Sequence, residues 1–119
     1  MLVPATVLVV DDEPSIRLLC RINLELEGYD VVEAGTLAEA RAAVASRDVA
    51  LVLLDLHVGH ESGRPLLEEL RSRTPPTPVA LVTGSAELHP GGDGAADAVL
   101  VKPFTIEALI RTVRELASG

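Results

Sequence analysis

The sequence predicts an α/β fold: a doubly wound parallel sheet of five strands with helices on both faces. Three observations predict it. Short apolar runs alternate with stretches of helical periodicity along the whole chain, the order that parallel β-α-β units require. Nearly half of the residues, 48%, are hydrophobic; most are Val, Leu, Ala and Ile, which suit a sheet buried on both faces. The length of 119 residues fits one domain, expected over residues 1–119, with a core that needs no disulfide or structural metal.

The elements follow in order. Residues 6–10 (TVLVV) make the first strand, closed by Asp11 and Asp12. Pro14 suits a first helical position, where its missing N–H costs nothing. Ile16, Leu19 and Cys20 begin a helical stripe, and Gly28 ends that helix as the residue just past its C-cap. Residues 30–33 make a short second strand. Thr36 and Glu39 form a capping box that opens a second helix running to Ser46. Residues 49–54 are continuous and apolar, as a central parallel strand should be, and Asp55 follows at once. A third helix holds Leu66, Leu67 and Leu70 and stops before Thr74, Pro75 and Pro76. Residues 79–82 are the fourth strand, ending at Thr83, and residues 98–101 the fifth, ending at Lys102. Between them, Pro90, Gly91, Gly92 and Gly94 cannot sustain a long helix, so the fourth helix is short or irregular. The last helix aligns Ile106, Leu109, Ile110, Val113 and Leu116 on one face.

Charge and composition narrow the function. A formal net charge of −8 repels phosphate backbones, and Tyr29 and Phe104 are the only Phe, Tyr or Trp residues, so direct binding of nucleic acid is not expected. Cys20 is the single cysteine; it excludes an internal disulfide and a Cys-based zinc site and reads as a small buried hydrophobe. No apolar run is long enough to span a bilayer, and the N-terminus has no signal-peptide pattern. The expectation is a soluble cytoplasmic protein without membrane contact.

The chemistry gathers at the strand ends. In open α/β sheets, ligands bind beyond the carboxyl ends of the strands. Here Asp11, Asp12, Asp55, Thr83 and Lys102 all stand at such ends. Three neighbouring carboxylates repel one another, and a hard divalent cation such as Mg²⁺ relieves that repulsion. Such a cation leaves positions open for a phosphoryl oxygen. Lys102 can neutralise a second oxygen, and the Thr83 hydroxyl can donate to a third. Asp55 is then the natural nucleophile, since a carboxylate can form an aspartyl-phosphate. Any one of these residues alone reads as a cap, a turn or a solvated side chain. It is their joint placement that points to a site.

At these motifs the chain resembles the receiver domains of two-component signalling, over its whole length. The matching segments are VLVVDDEPSIR (residues 7–17), LVLLDL (51–56), Gly63 eight residues after Asp55, ALVTG (80–84) and VKPF (101–104). The resemblance implies a flavodoxin-like strand order of 2-1-3-4-5. It implies that Asp55 accepts phosphate from a histidine kinase or histidine phosphotransferase. Asp12 would bind Mg²⁺ directly, Asp11 largely through water, and the backbone carbonyl of His57 would supply another ligand. Thr83 would turn towards the phosphoryl group, Lys102 would pair with it, and the Lys102–Pro103 bond would be cis. The kinase would dock over Pro14, Ser15 and Arg17 of the first helix and over the loop at Pro103–Phe104. A downstream protein is implied but not identified. Such a domain is not a turnover enzyme: it promotes only its own phosphorylation and slow dephosphorylation.

Departures from the family pattern matter. Val99 stands three residues before Lys102, where receivers usually carry Tyr or Phe, so the usual aromatic readout is in doubt. With the shortened segment between Thr83 and Lys102, this resembles an atypical subgroup with a degenerate fourth helix. Ordering of residues 84–97 on phosphorylation is the expected substitute for the aromatic switch. Gly59 replaces a usual proline and should loosen residues 57–61. The His57 side chain is either a bystander or a tuner of hydrolysis; His60 and His89 are expected in solvent, with no metal signature. No effector domain is legible, so the chain is either a stand-alone receiver or a piece of a longer protein.

Other readings stay in view. A pseudo-receiver that binds proteins without phosphorylation has the same fold, and a degraded acid pocket would bind Mg²⁺ poorly. A flavin carrier would need a phosphate-cradling loop after the first strand, where Asp11, Asp12 and Glu13 would repel phosphate. A haloacid-dehalogenase-type phosphatase would need a D-x-D pattern there, which is absent.

Overall fold

The computed structural model describes residues 3–84 and 96–117. A single parallel sheet runs through it, built from β1 (Thr6–Val10), β2 (Asp30–Ala34), β3 (Leu51–Asp55), β6 (Val79–Thr83) and β7 (Ala98–Val101), in the order β2-β1-β3-β6-β7. The labels skip two because a small antiparallel hairpin, β4 (His57–Val58) with β5 (Glu61–Ser62), follows β3. Counting only strands of the main sheet, this is the expected order 2-1-3-4-5. The helices are α1 (Pro14–Leu26), α2 (Leu37–Ser46), α3 (Arg64–Arg71) and α4 (Ile106–Ala117). The expected short helix within residues 87–94, the ordering of residues 84–97 and the solvent position of His89 fall largely or wholly outside the described residues.

Alternation along the strands divides the core in two. Leu8, Val10, Val52, Leu54, Val79 and Leu81 face one side and pack against Leu37 and Ala40 of α2 and Leu66, Leu67 and Leu70 of α3. Val7, Val9, Leu51, Leu53, Ala80 and Val82 face the other and meet Cys20 and Leu24 of α1 and Leu109 and Val113 of α4. Side chains of period two, buried on both faces, are why these strands read as continuous apolar runs. Every residue of β3 is buried.

Local chemistry sets the boundaries. Pro14 opens α1 as expected, and Gly28 follows its C-cap with φ +94°, a conformation costly for a side chain. The Thr36 hydroxyl accepts from the Glu39 N–H at 3.1 Å; the Glu39 carboxylate in turn accepts from the Gly35 N–H at 2.7 Å, one residue earlier than in a standard capping box. In α4, the Thr105 hydroxyl accepts from the Ala108 N–H at 3.0 Å.

Several expectations need correction. The third strand begins at Leu51, because Val49 and Ala50 are only half-buried at the rim of the sheet, and it includes Asp55. Leu19 is not part of the buried stripe of α1: it is exposed, and Cys20 and Leu24 carry the packing. In α4 the buried line is Leu109, Val113 and Ala117, with Ile106, Ile110 and Leu116 at its edges. Residues 57–61 are not a loop without secondary structure. They lie within the β4–β5 hairpin, whose two-residue turn starts at Gly59 with φ +64°, the positive φ that tight hairpin turns favour. The Lys102–Pro103 bond is cis as expected, and the Thr74–Pro75 bond, which was not expected to be, is cis as well.

Cys20 is buried, as expected of a small hydrophobe. Burial, with the nearby Asp11 carboxylate, pushes its thiol up to about 12, so it stays protonated at neutral pH. Among the described residues no helix is long and apolar enough to cross a membrane.

Candidate functional site

The site lies where β1, β3, β6 and β7 end. Parallel pairing in register brings these ends to one edge: Val10 lies beside Leu54, Asp55 beside Val82, and Thr83 beside Val101. The residue at or just past each end therefore faces the others, without any further fold-specific device.

Asp11 follows β1 and is only 2% exposed. Its two oxygens are separately engaged. Oδ1 accepts from the Glu13 N–H at 2.9 Å, a local turn that Asp favours. Oδ2 accepts from the Lys102 ammonium at 2.8 Å. Asp55 ends β3 and is also buried. Its Oδ1 accepts from the His57 N–H at 3.1 Å and its Oδ2 from Lys102 at 3.4 Å. Asp12 is exposed, yet Asp11, Asp12 and Asp55 each offer an oxygen within 4.8 Å of the others. Glu13 adds a fourth carboxylate, 3.8 Å from Lys102.

Lys102 is thus the cation at the centre of an acidic cluster. Its backbone N–H donates to the Thr83 carbonyl at 2.7 Å, which ties the ends of β6 and β7 together. Burial works against its charge, but the hydrogen bond and field of Asp11, and then those of Asp55, outweigh burial and raise its titration above the ordinary 10.5. One ammonium faces three carboxylates that could share a metal ion, so the cluster keeps an excess of negative charge that a divalent cation would match. Thr83 is 2% exposed at the end of β6.

The structure therefore gathers Asp11, Asp12, Asp55, Thr83 and Lys102 at one edge, as the strand ends predict. His57 is exposed on the hairpin and meets Asp55 through its backbone N–H. Val99 lies in β7 at 45% exposure. Arg17 is turned inward: Nη1 donates to the Asp11 carbonyl at 2.6 Å and Nε to Glu33 Oε1 at 3.1 Å. A signal for this was present, since Arg17 stands three and seven residues before Cys20 and Leu24 on the same helical face. Gly63 was legible only as a motif residue. A Cβ on it would lie 2.6 Å from the Asp55 carbonyl oxygen, so glycine lets the start of α3 approach the Asp55 backbone.

The sequence pattern of the response regulator receiver domain matches residues 7–114. The chain belongs to the response-regulator receiver family. It is 37% identical over 120 residues to the probable transcriptional regulatory protein TcrX of Mycobacterium tuberculosis, covering 95% of this chain and 50% of that protein. It is 31% identical over 118 residues to the phosphate regulon transcriptional regulatory protein PhoB of Pseudomonas aeruginosa, covering 95% and 52%. The receiver thus spans about half the length of these curated relatives. Among solved structures, a CheY-like receiver domain protein of Methanospirillum hungatei superposes with a TM-score of 0.88 at 30% identity, over 97% of this chain and 94% of that one. The response regulator TrrA of Thermotoga maritima, determined in complex with Mg²⁺-BeF, superposes at 0.84 with 32% identity, over 94% and 98%.

Proposed function

We propose that this receiver takes a phosphoryl group onto Asp55 from a phosphohistidine of a sensor histidine kinase or a histidine phosphotransferase. The observation that carries the proposal is the Lys102 ammonium between Asp11 and Asp55, at 2.8 and 3.4 Å, with an Asp12 oxygen in the same cluster. The phosphorus–nitrogen bond of the donor breaks as an oxygen–phosphorus bond forms at the Asp55 carboxylate. The imidazole leaves, taking up a proton, and later attack by water returns inorganic phosphate and the free carboxylate. The chain is therefore a phosphoacceptor with a slow self-hydrolysis, not a turnover enzyme.

Asp11, Asp12 and Asp55, with the His57 backbone carbonyl, would hold Mg²⁺. Asp12 suits direct ligation because it is exposed; Asp11, with both oxygens already engaged, suits contact through water. The acidic oxygens fit a hard cation, and the Mg²⁺-BeF complex of TrrA supports the choice. When bound, the ion supplies charge neutralisation for the incoming phosphoryl oxygens. Lys102 pairs with a further oxygen, and the Thr83 hydroxyl donates to the phosphoryl group once it is in place.

The donor protein docks beside the site. Ile16, Leu19, Pro103 and Phe104 line an apolar cleft of about 280 Å³ with Lys102 at its edge, and Leu18, Leu19 and Ile22 are exposed along α1. We assign the docking contacts to these apolar residues, because the Arg17 guanidinium is engaged with Asp11 and Glu33. The setting is cytoplasmic, where kinases of this kind act. The output is contact with a downstream protein. Direct binding of nucleic acid by this acidic domain is not proposed.

The test is intact mass after incubation with a small phosphodonor such as phosphoramidate, with and without Mg²⁺. The expected result is one added phosphoryl group that requires Mg²⁺ and is absent from Asp55→Asn. No added mass from this donor or from a panel of phosphorylated histidine kinases would overturn the proposal and favour a pseudo-receiver that only binds proteins.

A further inference from the structure

The backbone of Asp11 is pinned on both sides, at its N–H and at the carbonyl of the peptide that joins it to Asp12. The Asp11 N–H donates to the Ala34 carbonyl at 3.1 Å. The Asp11 carbonyl accepts from Arg17 Nη1 at 2.6 Å. Arg17 is itself held: its Nε donates to Glu33 Oε1 at 3.1 Å, and Glu33 Oε2 accepts from Arg21 at 3.1 Å. The Arg17 side chain is only 18% exposed. Gly35 leaves the room it needs, since a Cβ there would come within 3.0 Å of Nη1 and 3.4 Å of Cζ. Peptide planarity then transmits the constraint, because fixing the carbonyl of Asp11 fixes the plane from which Asp12 departs.

We infer that Arg17 is a positioning residue for metal binding, setting the direction in which the Asp12 carboxylate enters the acidic cluster without touching a carboxylate of that cluster. The inference rests on the reading of Asp11, Asp12 and Asp55 as a Mg²⁺ site. It has a sign that a purely electrostatic role lacks. As a charge alone, Arg17 repels a cation, and its removal would tighten Mg²⁺ binding. As a positioning residue it orders a ligand, and its removal weakens Mg²⁺ binding.

The test is calorimetric titration of the full chain with MgCl₂, for wild type, Arg17→Ala, Gly35→Ala and Asp12→Asn. Thermal unfolding in EDTA identifies variants that remain folded. Arg17→Ala is expected to raise the Mg²⁺ Kd about tenfold, the low end for groups that orient metal ligands. Gly35→Ala, which keeps the arginine but presses on Nη1, is expected to shift the Kd the same way by a smaller factor. Unchanged or tighter binding by folded Arg17→Ala, beside wild-type binding and its loss in Asp12→Asn, overturns the inference alone. If Arg17→Ala does not fold, Gly35→Ala decides, and a wild-type Kd overturns it. A wild-type chain that binds no Mg²⁺ overturns the reading of the site and the inference with it.

Discussion

Lys102 reaches two buried carboxylates at once, and each holds its charge in place. Its value in the folded chain lies above the 10.5 of a free lysine. A group raised in this way stabilises the fold fully below its unfolded value, and that stabilisation is lost as pH rises through the folded value. Lys102→Ala should therefore cost about 2 kcal/mol in EDTA at neutral pH, the range for hydrogen bonds to charged groups. The gap from wild type should hold up to about pH 10, then narrow above 10.5. Urea unfolding across pH checks this, and a gap that ignores alkaline pH would contradict it. At this scale the sequence was most legible where strand ends carry polar residues, as at Asp55, Thr83 and Lys102. The contacts of Arg17 were not read from the sequence, although helical spacing sets it on the same face as the buried Cys20 and Leu24.

The elements show where pattern reading runs out. Five strands and four helices announce themselves through period-two and helical spacing, but β4 and β5 have two residues each, too few for any period to register. Gly59 signals a turn, and only the pairing of His57 with Ser62 shows that the turn closes a hairpin. This hairpin delivers the chain from β3 to α3 at Gly63, whose N–H donates to the Leu56 carbonyl at 2.7 Å. Gly63 has an ordinary φ of −78°, so space, not conformation, demands glycine. The obstructing atom is backbone, and it cannot rotate away. Gly63→Ala should cost about 2 kcal/mol as α3 and Asp55 are forced apart, and it should slow phosphoryl uptake. Urea denaturation and timed intact-mass measurements test both, and wild-type values in both would contradict the packing argument.

On the scale of the whole molecule, alternation of strand and helix was enough to give a doubly wound sheet with two separate cores. The strand order rested on the family resemblance, because residue periodicity says which segments are strands but not which are neighbours. The same topology places the acidic cluster, the Lys102 ammonium and the apolar cleft at Phe104 on one end of the molecule. The proposed acceptor and the proposed docking surface for its donor thus share one edge. We expect Asp55, and not its neighbours Asp11 and Asp12, to take the phosphoryl group. Borohydride reduction of the phosphorylated chain converts an acyl phosphate to an alcohol, and peptide mapping then locates it. Homoserine is expected at position 55 alone; homoserine at position 11 or 12, or none in a chain that has gained phosphate, would place the acceptor elsewhere.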